Sequence, residues 1–288
     1  MDLDELYHAE SFRDKLSTVT DEGSRNWIYA LKPNGRFYNY RTILAAFYML
    51  IFLGMPFIKV NGMPFMLLDV LNGKFILFGK IFWPRDFYIF AIAMITGIIF
   101  IALFTVVYGR LFCGWICPQT IFMEFIFRPL EWLIEGNAAS QRLLNNGPLS
   151  FKKIWKKTIK HILFFLVSFI IANTFLAYVF GVDKLFKIIR EPLTEHFSLF
   201  MGIIVFTLVF YAVYAYVREI VCTVICPYGR LQGVLFDKDT MLVAYDYIRG
   251  EKRARFKKNE ERTSGDCIDC HQCVNVCPTG IDIRNGTQ

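Results

Sequence analysis

Long apolar stretches alternate with short polar ones along this chain. Residues 87–109, 162–182 and 197–217 carry no Asp, Glu, Lys or Arg, and each exceeds 20 residues. A helix rises about 1.5 Å per residue, so a run of that length crosses a hydrocarbon core of about 30 Å. Thr42 to Ile58 is shorter and holds Gly54 and Pro56, but Phe37, Tyr38 and Tyr40 before it and Lys59 after it suit the two membrane boundaries. Four such segments in 288 residues leave too little polar surface to cover them in a soluble domain. The pattern predicts an all-α polytopic membrane protein with four transmembrane helices between residues 41 and 217.

The connections carry their own patterns. Residues 65–71 and 74–78 flank Asn72-Gly73, a strong turn signal, and predict a two-stranded outer hairpin over about 65–80. From Pro118 to Glu135, Ile121, Phe122, Phe125, Ile126, Leu130 and Leu133 recur at helical spacing while Glu124, Arg128, Glu131 and Glu135 take other faces. That predicts a helix lying in the inner interface, kinked at Pro129. Gly136 to Pro148 reads as a loop.

Charge then orients the chain. The 32 Lys and Arg concentrate before the first span, between the second and third, and after the fourth. The positive-inside rule puts a 1–40 N-terminal arm, the 110–161 loop and the 218–288 tail in the cytoplasm. The N-terminus is acidic, with Asp2, Asp4 and Glu5, so no signal peptide is expected and the first span reads as an uncleaved anchor. The net charge of +7 calls for no nucleic acid, since the clusters Lys152–Lys160 and Lys252–Lys258 suit the anionic headgroups of membrane lipids.

Eight cysteines fall in or beside these inner segments, where structural disulfides are rare. Within a 257–288 ferredoxin-type segment, Cys267, Cys270, Cys273 and Cys277, followed by Pro278, form the run C-x2-C-x2-C-x3-C-P, the thiolate spacing of a [4Fe-4S] cluster. Zinc sites pair knuckles a dozen or more residues apart, so the spacing favours iron–sulfur. In two-cluster ferredoxins the fourth cysteine serves the other cluster, and no second run follows in this sequence. The charged stretch Arg249–Arg262 reads as a flexible tether for the segment.

A second motif, C-x3-C-P, occurs twice: Cys113, Cys117 and Pro118 just inside span 2, and Cys222, Cys226 and Pro227 just inside span 4. Cysteines at i and i+4 share a helix face, and the proline ends one helix and suits the first position of the next. Two related hairpins could bring the four thiols together to hold Cu(I), an iron–sulfur cluster or a reversible dithiol. His161 and His196 lie at opposite membrane faces and cannot both ligate one haem.

The arm, the four spans, the doubled C-x3-C-P and the cysteine run together resemble the cytochrome c oxidase accessory protein family (CcoG, FixG, RdxA), related to NapH-type membrane ferredoxins. The resemblance is carried by residues 27–30, 35–38, 82–87, 111–120, 226–230, 236–240 and 265–286. It implies a bacterial cytoplasmic-membrane protein that helps assemble cbb-type oxidase, by reducing Cu(II) to Cu(I) through [4Fe-4S] clusters. Oxidase subunits or copper chaperones are the implied partners, and the electron donor is open. Family members continue into a second cysteine run, so the resemblance implies either that this sequence is C-terminally truncated, with a second cluster outside it, or that Cys277, a membrane-side cysteine or a non-cysteine ligand completes the first cluster. An electron conduit without copper and a non-redox assembly factor remain alternatives.

Overall fold

The computed structural model describes residues 18–19, 24–60, 62–69, 73–77, 79–82, 87–190, 197–237, 239–255 and 265–285. Four helices are long and apolar enough to cross a membrane, over Arg36–Phe57, Tyr88–Tyr108, Phe151–Phe180 and Phe197–Val217. The protein is therefore a mostly helical, multi-pass membrane protein. The first span is α1, Arg36–Gly54, extended by a 3-10 turn at Met55–Phe57 that Pro56 can enter because a helix's leading N–H groups lack partners anyway. The second is α2, Phe87–Tyr108. After it come α3 (Leu111–Trp115), α4 (Pro118–Phe122), a π turn at Met123–Phe127, α5 (Arg128–Glu135) and α6 (Ala138–Asn146). The third span is α7, Phe151–Phe180, followed by the short α8, Val182–Arg190. The fourth is α9, Phe197–Ala212, continued by a π turn at Val213–Val217; a second π turn, Val221–Ile225, leads into α10, Pro227–Leu235. The tail holds α11 (Tyr247–Gly250) and α12 (Gln272–Val276).

Two features of the cysteine-bearing side add to the sequence pattern. The 118–135 segment packs one face into the protein: Phe122, Met123 and Phe127 join Phe164 and Ile171 of α7 and Tyr214 and Ala215 after α9 in the main core. The Phe127 ring stacks on Tyr214 at 4.5 Å and meets Phe164 edge-on at 5.0 Å. The segment can sink inward because its charged face finds partners there. Its break is the π turn that precedes Pro129, which occupies the start of a new helix rather than kinking one. The Lys-rich run is itself the first third of α7, whose 30 residues span about 45 Å. Lys157 and Lys160 are engaged by Glu135 and Glu131, and Lys153 donates to the carbonyls of Asn145 and Gly147, so these three lysines have partners within the protein.

The opposite end of α7 carries the cap. It is larger than one hairpin: β1 (Lys59–Val60) pairs with β2 (Met63–Pro64), while β3 (Met66–Asp69), β4 (Lys74–Leu77) and β5 (Lys80–Phe82) form an antiparallel sheet. Gly181, at φ 82°, ends α7 against Leu67 of β3, and Lys59 pairs with Asp183 of α8 at 2.7 Å.

The cysteine-bearing tail contacts the body of the protein, while residues 256–262 of the expected tether lie outside the described residues. The Leu31 amide of the arm donates to Asn275 O at 2.8 Å, Arg128 donates to Pro278 O at 3.2 Å, and the Gly280 backbone passes against Ile28 of the arm. The arm thus gains a role its sequence did not show, as a platform for the tail.

Candidate functional site

The two C-x3-C-P segments fold alike. Each follows a span that ends in a left-handed residue four positions before the first cysteine, Gly109 at φ 57° and Arg218 at φ 52°. In each, the amide of the second cysteine reaches back five residues, Cys117 to Phe112 O at 3.1 Å and Cys226 to Val221 O at 2.7 Å. Cys117 and Cys226 then adopt extended ψ values of 122° and 114°, and Pro118 and Pro227 begin α4 and α10. The cause is the same in both: proline disfavours helical geometry in the residue before it yet fits the first position of a helix.

The two turns converge. Gln232 of α10 donates to Cys113 Sγ at 2.9 Å, Thr105 of α2 bonds Tyr228 of α10, and Arg41 of α1 donates to Gly114 O, between the first two cysteines, at 2.9 Å. Gly229 lets α10 approach closely, since a Cβ there would lie 2.5 Å from Cys222 O. Burial pushes the Cys113 thiol up to about 11, with Cys117 and Cys226 adding to it, against the opposing pull of the Gln232 bond and Arg110. Burial likewise pushes Cys222 up to about 12, reinforced by Cys117, Cys113, Cys226 and Glu219. Cys113 and Cys222 each lie within electrostatic reach of the other three membrane-side cysteines, and a soft cation or cluster bound there would displace the protons of these two buried thiols. The copies differ in charge at two positions: Gly109-Arg110 in the first stands where Arg218-Glu219 stands in the second.

Glu219 belongs to a buried ion network that the sequence reading missed. Arg128, 2% exposed, pairs with Glu124 at 2.6 Å and Glu219 at 2.8 Å, and its third contact is Pro278 O. Arg218 grips Glu131 with both terminal nitrogens, at 2.7 and 2.9 Å, and Lys160 adds a contact to Glu131 at 2.9 Å. Burial opposes ionisation of Glu131, but Arg218 and Lys160 outweigh it and hold the carboxyl below its ordinary range. Burial dominates at Glu124 and raises it, despite Arg128 and Arg41. The network ties the 118–135 segment, α7, the turn before Cys222 and the carbonyl after Cys277 into one body. The sequence signal was available in part: four charges at i, i+4, i+7 and i+11 mark a face that must meet either water or counter-charges.

In the tail, Asp269 and His271 stand at φ 51° and 56° on either side of Cys270, so the chain reverses twice within the cysteine run. Cys270 and Cys273 are exposed, Cys267 and Cys277 half-buried, and all eight cysteines are free thiols. Among the described residues no three His, Cys, Asp or Glu side chains are drawn to chelating distance. A tight loop presenting soft donors is nonetheless the donor set and backbone shape that a cubane cluster requires, so these residues fit a [4Fe-4S] group. Burial lowers the proton affinity of Arg110, which lies within reach of both Cys113 and Cys277 and so stands between the tail set and the membrane set. His161 bonds Tyr211 through Nδ1 at 2.8 Å, whereas His196 lies outside the described residues.

A family model described as a 4Fe-4S dicluster domain matches residues 217–288, and another described as a 4Fe-4S binding domain matches residues 90–136. Between them they take in all eight cysteines. Protein RdxA of Cereibacter sphaeroides is 36% identical over 222 residues, covering 77% of this chain and 46% of its own length. Nitrogen fixation protein FixG of Rhizobium meliloti is 30% identical over 272 residues, 92% of this chain and 52% of its own. Protein RdxB of Cereibacter sphaeroides is 34% identical over 226 residues, 77% and 46% of the two chains. The chain spans about half the length of these curated relatives. No solved structure matches it. Its cysteine motifs, its four spans and these three likenesses identify the chain as a member of the RdxA/RdxB/FixG family of 4Fe-4S proteins.

Proposed function

We propose that this protein carries single electrons at the inner face of the cytoplasmic membrane and serves assembly of a cbb-type haem–copper oxidase by reducing Cu(II) to Cu(I). The observation that carries the reading is the convergence of Cys113, Cys117, Cys222 and Cys226 beside a docked ferredoxin-type tail. A [4Fe-4S] cluster, when bound, supplies a one-electron carrier. Cys267, Cys270 and Cys273 would hold it from the tail loop, and Cys277, within electrostatic reach of Arg110, would serve the other cluster, as the fourth cysteine of a two-cluster run does. Copper enters as substrate. Each Cu(II) takes one electron, and soft thiolates favour the Cu(I) product. Binding displaces thiol protons, which leave to the inner aqueous phase. Oxidase subunits or copper chaperones would receive the ion.

A second reading is an electron conduit with no copper step. It draws on the 4Fe-4S binding model over residues 90–136, which puts Cys113 and Cys117 in an iron–sulfur setting. Copper reduction by membranes bearing the protein, with and without all four of Cys113, Cys117, Cys222 and Cys226 changed to Ala, separates the two. The copper reading expects Cu(I) formation to fall to background in the variant while iron in the tail is retained. Equal rates in both samples would sink it. Iron lost at a second site, with no copper turnover in the parent protein, favours the conduit.

A further inference from the structure

Arg284 lies beyond the cysteine run yet organises it. The side chain is 6% exposed. Its Nε donates to Asp282 Oδ1 at 2.8 Å and Nη2 to Asp282 Oδ2 at 2.6 Å, while Nη1 bonds Asp269. Nη2 also donates to His271 Nδ1 at 2.9 Å, which fixes His271 as the tautomer with its proton on Nε2. Asp269 and His271 are the two left-handed residues that flank Cys270. Non-glycine residues hold that conformation only when neighbours over-determine it, and here one guanidinium grips both side chains. The Arg284 carbonyl is in turn fixed by Arg253 Nη2 at 3.0 Å. Asp282 raises the proton affinity of the guanidinium most, Asp269 adds to this, and Cys273 contributes too, so the cation stands near a cysteine of the run.

We infer that Arg284 is a positioning residue for the iron–sulfur group: it holds the Cys267–Cys273 loop in its ligating shape, and its fixed charge beside Cys273 raises the reduction potential. This rests on the reading that the tail cysteines bind a [4Fe-4S] cluster. Reduction adds one electron to the cluster and its thiolates, and a buried cation nearby favours the more negative state. Lysine would keep the charge but lose the fork that reaches Asp282, Asp269 and His271 together.

The test uses the full chain in detergent: iron and sulfide per chain, then an electron paramagnetic resonance redox titration of the parent, Arg284→Gln, Arg284→Lys and Asp282→Asn. At the potential where the parent is half reduced, the reduced-to-oxidised ratio is expected to fall about tenfold in Arg284→Gln, equivalent to about 59 mV for a one-electron couple. Arg284→Lys should stay within about threefold of the parent, though with less iron retained, since it keeps the charge and loses the fork. Asp282→Asn removes an opposing negative charge and should raise the ratio. Should Arg284→Gln fail to hold iron, Asp282→Asn decides, and an unchanged ratio there overturns the inference. A parent without iron and sulfide overturns the cluster reading itself, whereas a loaded parent with Arg284→Gln and Asp282→Asn at its own potential overturns only the role of Arg284.

Discussion

Replacing Arg218 with Met tests whether the buried ion network holds the cysteine-bearing half of the bundle together. Arg218 is 4% exposed, binds Glu131 through two nitrogens at 2.7 and 2.9 Å and approaches Glu219 at 3.4 Å. Removing one member of a buried ion pair costs about 3–5 kcal/mol, because the partner is left uncompensated. Here each partner keeps another cation, Lys160 at 2.9 Å from Glu131 and Arg128 at 2.8 Å from Glu219, which puts the loss at the low end, about 3 kcal/mol. At roughly 2–4 °C per kcal/mol for a chain of this order, the melting temperature should drop by about 6–12 °C. Thermal unfolding in detergent, followed by tryptophan fluorescence, reads this directly, since Trp27 lies 5.7 Å from the Arg218 guanidinium. Lys157→Met is the control: its side chain is 28% exposed and Glu135 keeps Lys160, so the loss should stay below about 1 kcal/mol. Arg218→Met melting within about 2 °C of the parent, or no lower than Lys157→Met, would refute the reasoning.

Three further outcomes follow from the same geometry. Glu131 titrates below its unfolded value of about 4.3, so its stabilisation is complete above that pH and is lost as pH falls through the folded value; Glu131→Gln should flatten the acid limb of a stability–pH profile. Gly229→Ala forces a Cβ to within 2.5 Å of Cys222 O, so metal or iron bound by the four membrane-side thiols should be lost while the tail set, counted by iron per chain, is retained. Arg128→Met removes the charged donor to Pro278 O, a bond of about 1.5–3 kcal/mol, and hydrogen exchange at the Leu31 amide, which donates to Asn275 O, should quicken tenfold or more.

The spans, the paired C-x3-C-P turns and the cysteine run were legible because each is written locally, in a run of apolar residues or a fixed spacing around proline. The ion network was not. Glu131 and Arg218 are 87 residues apart, and nothing within 118–135 says whether its charged face meets water or a second charged face. Amphipathic periodicity names two faces without saying which turns inward, and counter-charges from α7 and the turn before Cys222 reverse the usual answer. Gln232 was silent for a similar reason: its bond to Cys113 exists only once α10 packs against α2. The 65–80 hairpin was legible through Asn72-Gly73, and the β1–β2 pair has the same dipeptide, Asn61-Gly62, between its strands, but strands of two residues leave no alternating pattern to flank it; β5 follows no such signal.

The 87-residue separation of Glu131 from Arg218 also orders events during synthesis. A ribosome adding about 5–20 residues per second delivers Arg218 some 4–17 s after Glu131. Through that interval Glu124, Glu131 and Glu135 can find Arg128, Lys157 and Lys160 but lack the cation that completes the set. The 118–135 segment must therefore wait at the aqueous boundary and sink between the spans only after the fourth has been inserted. The fourth span closes the first cysteine turn as well as its own when it emerges, so both turns mature together, and in the presence of the tail that follows directly behind.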